Sequence, residues 1–468
     1  MRALILFLSI LILAGCDKPE PKKVPLPSVA QSKELVIVTH YGPNTYYIDG
    51  DNQYAGLEYD LAKLFAADLG DDYRIKFVVV DTVSQVIPSL LQGNAHIAAA
   101  GLSITPQRQK ILKFSIPYQN AQQVVVYRQG KVEPPEDIGD LVGKNIAVPY
   151  GTSYSEELET LKRKYPKLEW EEKNNVSTDE LLEYVANGIV DYTLADEHIV
   201  SMMQNYFPEL GQGINVGEPE EIAWAFPKNC DDWLFSKANA FFKRIASDGT
   251  LRNLIDRYYG HADRLQAVDI NKFLDKSTNV LPKYVDIFKD AQEVTGTDWR
   301  LLAAISYQES HWDESNTSPT NVRGMMMLTE DTAKKLGVTD RLDPRQSILA
   351  GAKYLNILKE KIPGRIQDPD RTWMALAAYN IGYSHLEDAR VLAQRLKLNP
   401  DSWADVKLTL PLLNKAKYYS TLRFGYASGG APVIFVESIR TYKQILEKFE
   451  PGHATPLKNF NMAMLDFY

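Results

Sequence analysis

The hydrophobic period of this chain changes once, near residue 270, and that change limits the folds open to it. Before it, short β-branched runs alternate with helical ones. "ELVIVTHY", which begins at Glu34, reads as a strand. "LEYDLAKLFAADLG" follows with helical spacing and a closing glycine. "RIKFVVVD" is a second strand, "SQVIPSLLQGN" a short helix and "AHIAAAGLS" a third, buried strand. The rhythm returns in "KNIAVPYG", "SYSEELETLKRKYP", "DELLEYVANG" and "VDYTLADEHIV". Strands alternating with helices predict mainly parallel sheets, here in two α/β lobes spanning roughly residues 34–262. Past the change strand signals nearly vanish. "VLPKYVDIFKDAQEVTG", "DWRLLAAISYQESHW", "EDTAKKLG", "QSILAGAKYLNILKEKI", "RTWMALAAYNIG" and "VIFVESIRTYKQILEKF" all carry helical periods. The fold class expected is multidomain, a two-lobed α/β domain over 34–267 and an all-α domain over 268–468.

A length of 468 residues needs more than one domain. The formal net charge of −8, with no block of Lys and Arg, argues against a nucleic-acid partner. At the N-terminus, Arg2 precedes the apolar run "ALILFLSILILAGC", too short to span a bilayer comfortably and too uniform for a core helix. Its end resembles a bacterial lipoprotein signal, "LAGC". That resemblance implies that residues 1–16 end in a diacylated Cys16, which holds the chain to a membrane on its periplasmic side. An uncleaved anchor helix is the alternative. Asp17 leaves the choice of membrane open, with the outer membrane expected. Residues 17–33 hold four prolines and few large apolar groups, and read as an extended tether. The only other cysteine, Cys230, is expected to be a plain buried thiol.

"GLEYDLAKLFAADLG" and "VIPSLLQGNAHIAAAGLSITPQRQKILKFSIPY" resemble the extracellular solute-binding proteins of the polar amino-acid uptake type, over most of residues 34–262. In that family two lobes close on a small ligand at the carboxyl ends of the strands, where open α/β sheets usually bind. The resemblance implies that Ser103 and Arg108 grip a ligand carboxylate and that Asp196 takes its amino group. The planar guanidinium fork suits a carboxylate. The plainer alternative is a structural salt bridge for Arg108 and a helix cap for Asp196. Glu58, also at a motif position, is expected to be a solvated helix-start carboxylate.

In "AISYQESHW" a count back by fours from Glu309 gives Ile305 and Leu301, so a carboxylate ends an apolar helix stripe. Such a group is partly desolvated, which raises its pKa and keeps a proton on it near neutrality. The surrounding motifs, "ISYQESHWDESNTSP", "RGMMMLTEDTA" and "ALAAYNIG", occur in the order found in the lysozyme-like catalytic domain of lytic transglycosylases, and together they resemble it over about 130 residues. The resemblance implies that Glu309 is the catalytic acid and then base. It implies that Ser310, Ser318, Met326, Met327, Tyr379 and Asn380 line the glycan groove, with Ser318 near the N-acetyl group and Tyr379 able to hold the glutamate's carboxyl. Core packing is the alternative for at least one residue of the run Met325 to Met327. Asp313 and Glu314 read as solvated or capping, so a second catalytic carboxylate is not expected. The family's usual Gln is Met327 here, and Tyr383, Ser384 and Ala431 also depart from the pattern.

The partners implied are peptidoglycan glycan strands and an amino-acid or muropeptide-type ligand in the first domain. No metal or cofactor is expected, because the seven histidines show no ligand spacing and the glycines form no phosphate loop. Two other readings stay open: a ligand-binding or sensory protein with an inactive tail, and a hydrolase of lysozyme type.

Overall fold

The structure, a computed structural model, describes residues 26–42, 45–48, 53–261, 265–318 and 322–454. Cys16, the signal that ends there and most of the tether lie outside the described residues.

The first lobe is built on a five-stranded sheet of β1 (Glu34–His40), β2 (Arg74–Val80), β3 (Ile97–Ala98), β4 (Leu112–Phe114) and, far along the chain, β8 (Ala225–Pro227), in the order β2-β1-β3-β8-β4. β1 pairs parallel with β2 and β3, while β8 runs antiparallel to its neighbours. Alternate residues of β1 enter different cores. Leu35 and Ile37 join one apolar cluster and Val36 and Val38 another, so the sheet is covered on both faces. Helix α1 (Leu57–Leu69) covers one face through Leu57, Leu61 and Phe65.

The second lobe departs from the expected parallel sheet. Its main sheet is antiparallel, with β5 (Gln119–Arg128) between β6 (Tyr192–Asp196) and β7 (Leu210–Ile222). The reason lies in how the lobes join. The chain leaves the first lobe along β5 and returns along β7, and pairing Gln119 with Ile222 sets the two crossings side by side. Strands that carry the chain out and back must run opposite ways. The parallel rhythm survives in a smaller pair, Ala147–Pro149 with Glu171–Lys173. Helices α2 (Ser153–Lys162) and α3 (Glu197–Gln204) flank this lobe, and α4 (Thr250–Tyr259) ends the first domain back on the first lobe.

The rest is helical, as the periods predict, and its apolar side chains form one contiguous cluster. At its centre runs α5 (Trp299–Ser310), packed against α6 (Pro344–Lys361) and α8 (Gly430–Phe449), and α7 (Asp370–Ile381) packs against those two. Asp298 starts α5 by accepting from the backbone N–H groups of Arg300 (2.8 Å) and Leu301 (3.3 Å). It ends where His311 takes a left-handed φ of 54° and bonds its N–H to the carbonyl of Tyr307. The apolar stripe proves too narrow a description. Every residue from Trp299 to Tyr307 is buried, and only Gln308 and Glu309 are half-exposed. Among the described residues, no helix is long and apolar enough to cross a membrane. Cys230 is half-buried rather than buried.

Candidate active site and ligand cleft

Helix α5 brings Glu309 to the surface only at its last turn. No hydrogen bond to its carboxyl is found among the described residues, and burial alone pushes its pKa up to about 8. The phenol of Tyr379, near the end of α7, is raised by burial and then by Glu309, so the two side chains lie near each other. Tyr354 of α6 meets the Tyr379 ring edge-on at 5.2 Å, and Phe435 of α8 stacks near it at 6.4 Å. Side chains of α6, α7 and α8 therefore meet at the Tyr379 ring, near Glu309 of α5. Asp313 and Glu314 lie outside this arrangement. Both are exposed, Asp313 accepting from Ser315 and Glu314 from Tyr284.

Several expected glycan contacts turn out to have another task. Ser310 is 2% exposed, and its hydroxyl donates to the carbonyls of Ser306 and Met325, each at 3.0 Å. Ser306 donates to Met325 as well (3.0 Å), Ser347 accepts from the Met326 N–H (3.1 Å), and Tyr379 donates to the Met326 carbonyl (2.9 Å). Four hydroxyls from α5, α6 and α7 thus fasten the backbone of the methionine loop. Tyr379 does not hold the Glu309 carboxyl; it holds the wall beside it. Met326 is fully buried, its side chain resting where a Cβ on Gly351 would stand, 2.6 Å from Cε. Neither Ser310 nor Met326 is open to a sugar, which corrects their assignment to the groove. Ser306, four residues before Ser310 and so one turn away on the same face, is a signal the sequence offered.

Gly324 begins the loop with φ 80°, and a Cβ there would meet the Arg341 carbonyl at 1.8 Å, so no other residue fits. Met327, half-buried, holds φ 45°, a conformation costly for a side chain of its kind. Ser318 accepts from the Val322 N–H (3.1 Å), Asn380 is exposed at the end of α7, and Ala431 is exposed in the first turn of α8.

The first domain encloses a second cleft, about 100 Å³, between its lobes. Ser103, Arg108 and Asp196 all line it. Asp196 stands at the cap position of α3 but caps nothing, and its Oδ1 is buried with no partner among the described residues. Burial, then Glu220, pushes its pKa up to about 7, against the opposing pull of Tyr154 and Arg108. Arg108 makes the salt bridge that the plainer reading gave it. Its Nε donates to Glu156 of α2 (3.0 Å), and its terminal nitrogens donate to the carbonyls of Ser103 (3.2 Å) and Gly151 (3.4 Å). Three of the five guanidinium N–H groups are thereby used, which leaves two for a ligand. Glu156 also accepts from Thr105 (2.6 Å), tying one lobe to the other.

Glu58 is not solvated. It is 2% exposed and accepts from the Gly101 N–H (2.6 Å), the Tyr118 hydroxyl (2.5 Å) and the Trp224 indole (2.8 Å), while burial raises its pKa. Its donors come from residues 43 to 166 positions away, so no local pattern announces them.

Two family models divide the chain between them. The bacterial extracellular solute-binding proteins, family 3, match residues 35–261, and the transglycosylase SLT domain matches 286–400. Fold and site thus define a class: a two-lobed solute-binding domain joined to a lysozyme-like transglycosylase domain. A membrane-bound lytic murein transglycosylase F of Methylobacillus flagellatus is 58% identical, covering 100% of this chain and 98% of its own. Another of that name from Nitrosospira multiformis is 45% identical over 95% of this chain and 91% of its own. The chain belongs to the membrane-bound lytic murein transglycosylase F family. Among solved structures, an ancestral arginine-binding protein bound to arginine is 24% identical, covers 48% of this chain and 98% of its own, and superposes with a TM-score of 0.43.

Proposed function

We infer that the chain is a lytic transglycosylase that cuts the β-1,4 bond between N-acetylmuramic acid and N-acetylglucosamine in peptidoglycan without water. The observation that carries this is Glu309, a half-buried carboxyl raised to about 8 by burial alone, which stays protonated at neutral pH. It donates that proton to the glycosidic oxygen as the bond to the muramyl C1 breaks. The substrate's own N-acetyl group stabilises the positive C1, so a second carboxylate is not required. Glu309, now ionised, takes the proton of the same sugar's 6-hydroxyl while that oxygen bonds to C1. The ring closes to a 1,6-anhydromuramyl end, and the intramolecular hydroxyl outcompetes water through its high effective concentration. Ser318, Met327, Tyr379 and Asn380 are the residues assigned to the groove wall. A mass spectrum of digested murein tests the reading: anhydro ends weigh one water less than hydrolysed ones, and reducing muramic ends would mean a hydrolase instead. Equal clearing of a murein zymogram by wild type and Glu309→Gln would leave only a binding protein.

The first domain senses a small ligand through Ser103, Arg108 and Asp196. The cleft between the lobes is small, about 100 Å³. That supports a ligand the size of an amino acid in this lobe arrangement, and a larger muropeptide only with the lobes opened. The working parts divide at about residue 267, where the helix Ala267–Asn279 turns Ile270 and Phe273 into the catalytic core. Coupling between them runs through α8. Arg440 of α8 donates to the Asp256 carbonyl of α4 (2.7 Å), Lys448 stands 4.4 Å from the Tyr206 ring of the second lobe, and α8 packs against α5. Ligand that changed neither the activity nor the relation of the domains would sink this coupling. Anchoring follows from Cys16 as a lipidated N-terminus, in the outer membrane; labelling with a radioactive fatty acid and its loss in Cys16→Ala test it.

A further inference from the structure

Another cavity, of about 780 Å³, opens between the two domains. The first lobe supplies Tyr41 and Tyr54, and the catalytic domain faces them with Trp373 of α7 and Lys448 of α8. Tyr41 and Tyr54 are 53% and 54% exposed, unusual for rings gathered at one place. They are not loosely set. Tyr46 packs against both, at 6.1 and 5.1 Å between ring centres, which gives the exposed faces a fixed base. Arg257 and Asp60, a salt bridge at 3.3 Å, add polar groups to the floor.

Aromatic faces with hydrogen-bonding groups at their rims match a sugar chain, whose rings carry C–H faces and equatorial hydroxyls. Cations such as Lys448 suit the carboxylates that murein carries. Helix α7 links this cavity to the catalytic site, with Trp373 lining the cavity and Tyr379 standing near Glu309. Six residues of helix separate these side chains by about 9 Å and about 240° of turn, so the two openings look in different directions. One strand cannot lie straight through both. Murein, a cross-linked mesh, always presents a neighbour.

We propose that the cavity between the domains binds a glycan strand of murein other than the one being cut, an anchoring site that keeps the enzyme on the mesh. The proposal rests on the assignment of murein as substrate. Full-length Glu309→Gln protein, which cannot digest its target, is mixed with purified insoluble murein and pelleted. Adding Tyr41→Ala and Tyr54→Ala should cut retention about fivefold or more. Lys448→Glu, from the opposite wall, should lower it too, and offers a second route should the tyrosine variant fold poorly. Retention unchanged by both overturns the proposal, as does a Glu309→Gln protein that never pellets with murein. Since the readout is retention, it fails separately from the catalytic reading, which the product mass of the wild-type digest decides.

Discussion

The catalytic cleft and the ligand cleft each bury acids, and they treat them differently. Among the described residues Glu309 has burial and nothing else, so it keeps its proton near neutral pH. Glu58 is buried more deeply yet receives three donors, which hold a carboxylate in place and leave it little to give. Asp196 stands between, with one oxygen lacking a partner among the described residues. Burial alone does not make a catalytic acid. What decides is whether the fold brings donors to the carboxyl, and in the catalytic domain the nearby hydroxyl of Tyr379 is spent on Met326 instead.

The sharpest way to break this contrast is Glu309→Gln, which should lower formation of anhydro products by about 10²- to 10⁴-fold, read by mass spectrometry. Should activity survive, the unpartnered acid is not the proton donor. Next in size, Asp196→Asn should weaken the best wild-type binder in a panel of free amino acids by about 10- to 100-fold in calorimetry, because a charge-assisted bond is lost. Unchanged affinity would return Asp196 to a structural role. Tyr379→Phe should reduce turnover about 3- to 10-fold by loosening the methionine loop, one net hydrogen bond's worth. A loss as large as that of Glu309→Gln would mean that the phenol acts on the substrate.

The smallest effect concerns stability. The folded pKa of Glu309, about 8, lies above its ordinary value of 4.5. Between those values the folded protein keeps a proton that the unfolded chain releases, so stability falls as pH rises through this window. Glu309→Gln removes that cost. The variant should melt about 2–4 °C or more above the wild type at pH 8.5, and the two should converge near pH 4. The same profile predicts activity lost as pH climbs past about 8.

Much of this was legible in the residues. The change of period near residue 270 separates the two kinds of domain because burial in sheets and helices imposes different repeats, 2 and 3.6, on the same side chains. Glu309 was legible too, as a charged residue closing an apolar run, and the three motifs fix its setting. Asp313 and Glu314, read as solvated or capping, are exposed. The antiparallel second sheet was not legible, because strand direction depends on how two distant crossings pair.

The roles of side chains within the sites divide the same way. That Ser310 and Met326 are wall rather than groove, that Tyr379 spends its hydroxyl on a backbone carbonyl, and that Glu58 gathers donors from Gly101, Tyr118 and Trp224 are facts of packing. The sequence by itself determined which chemistry the chain carries, because residue type and helical spacing are local. Only the tertiary structure decided which polar groups are left without partners, because hydrogen bonds are assigned among residues that meet only when the chain is folded.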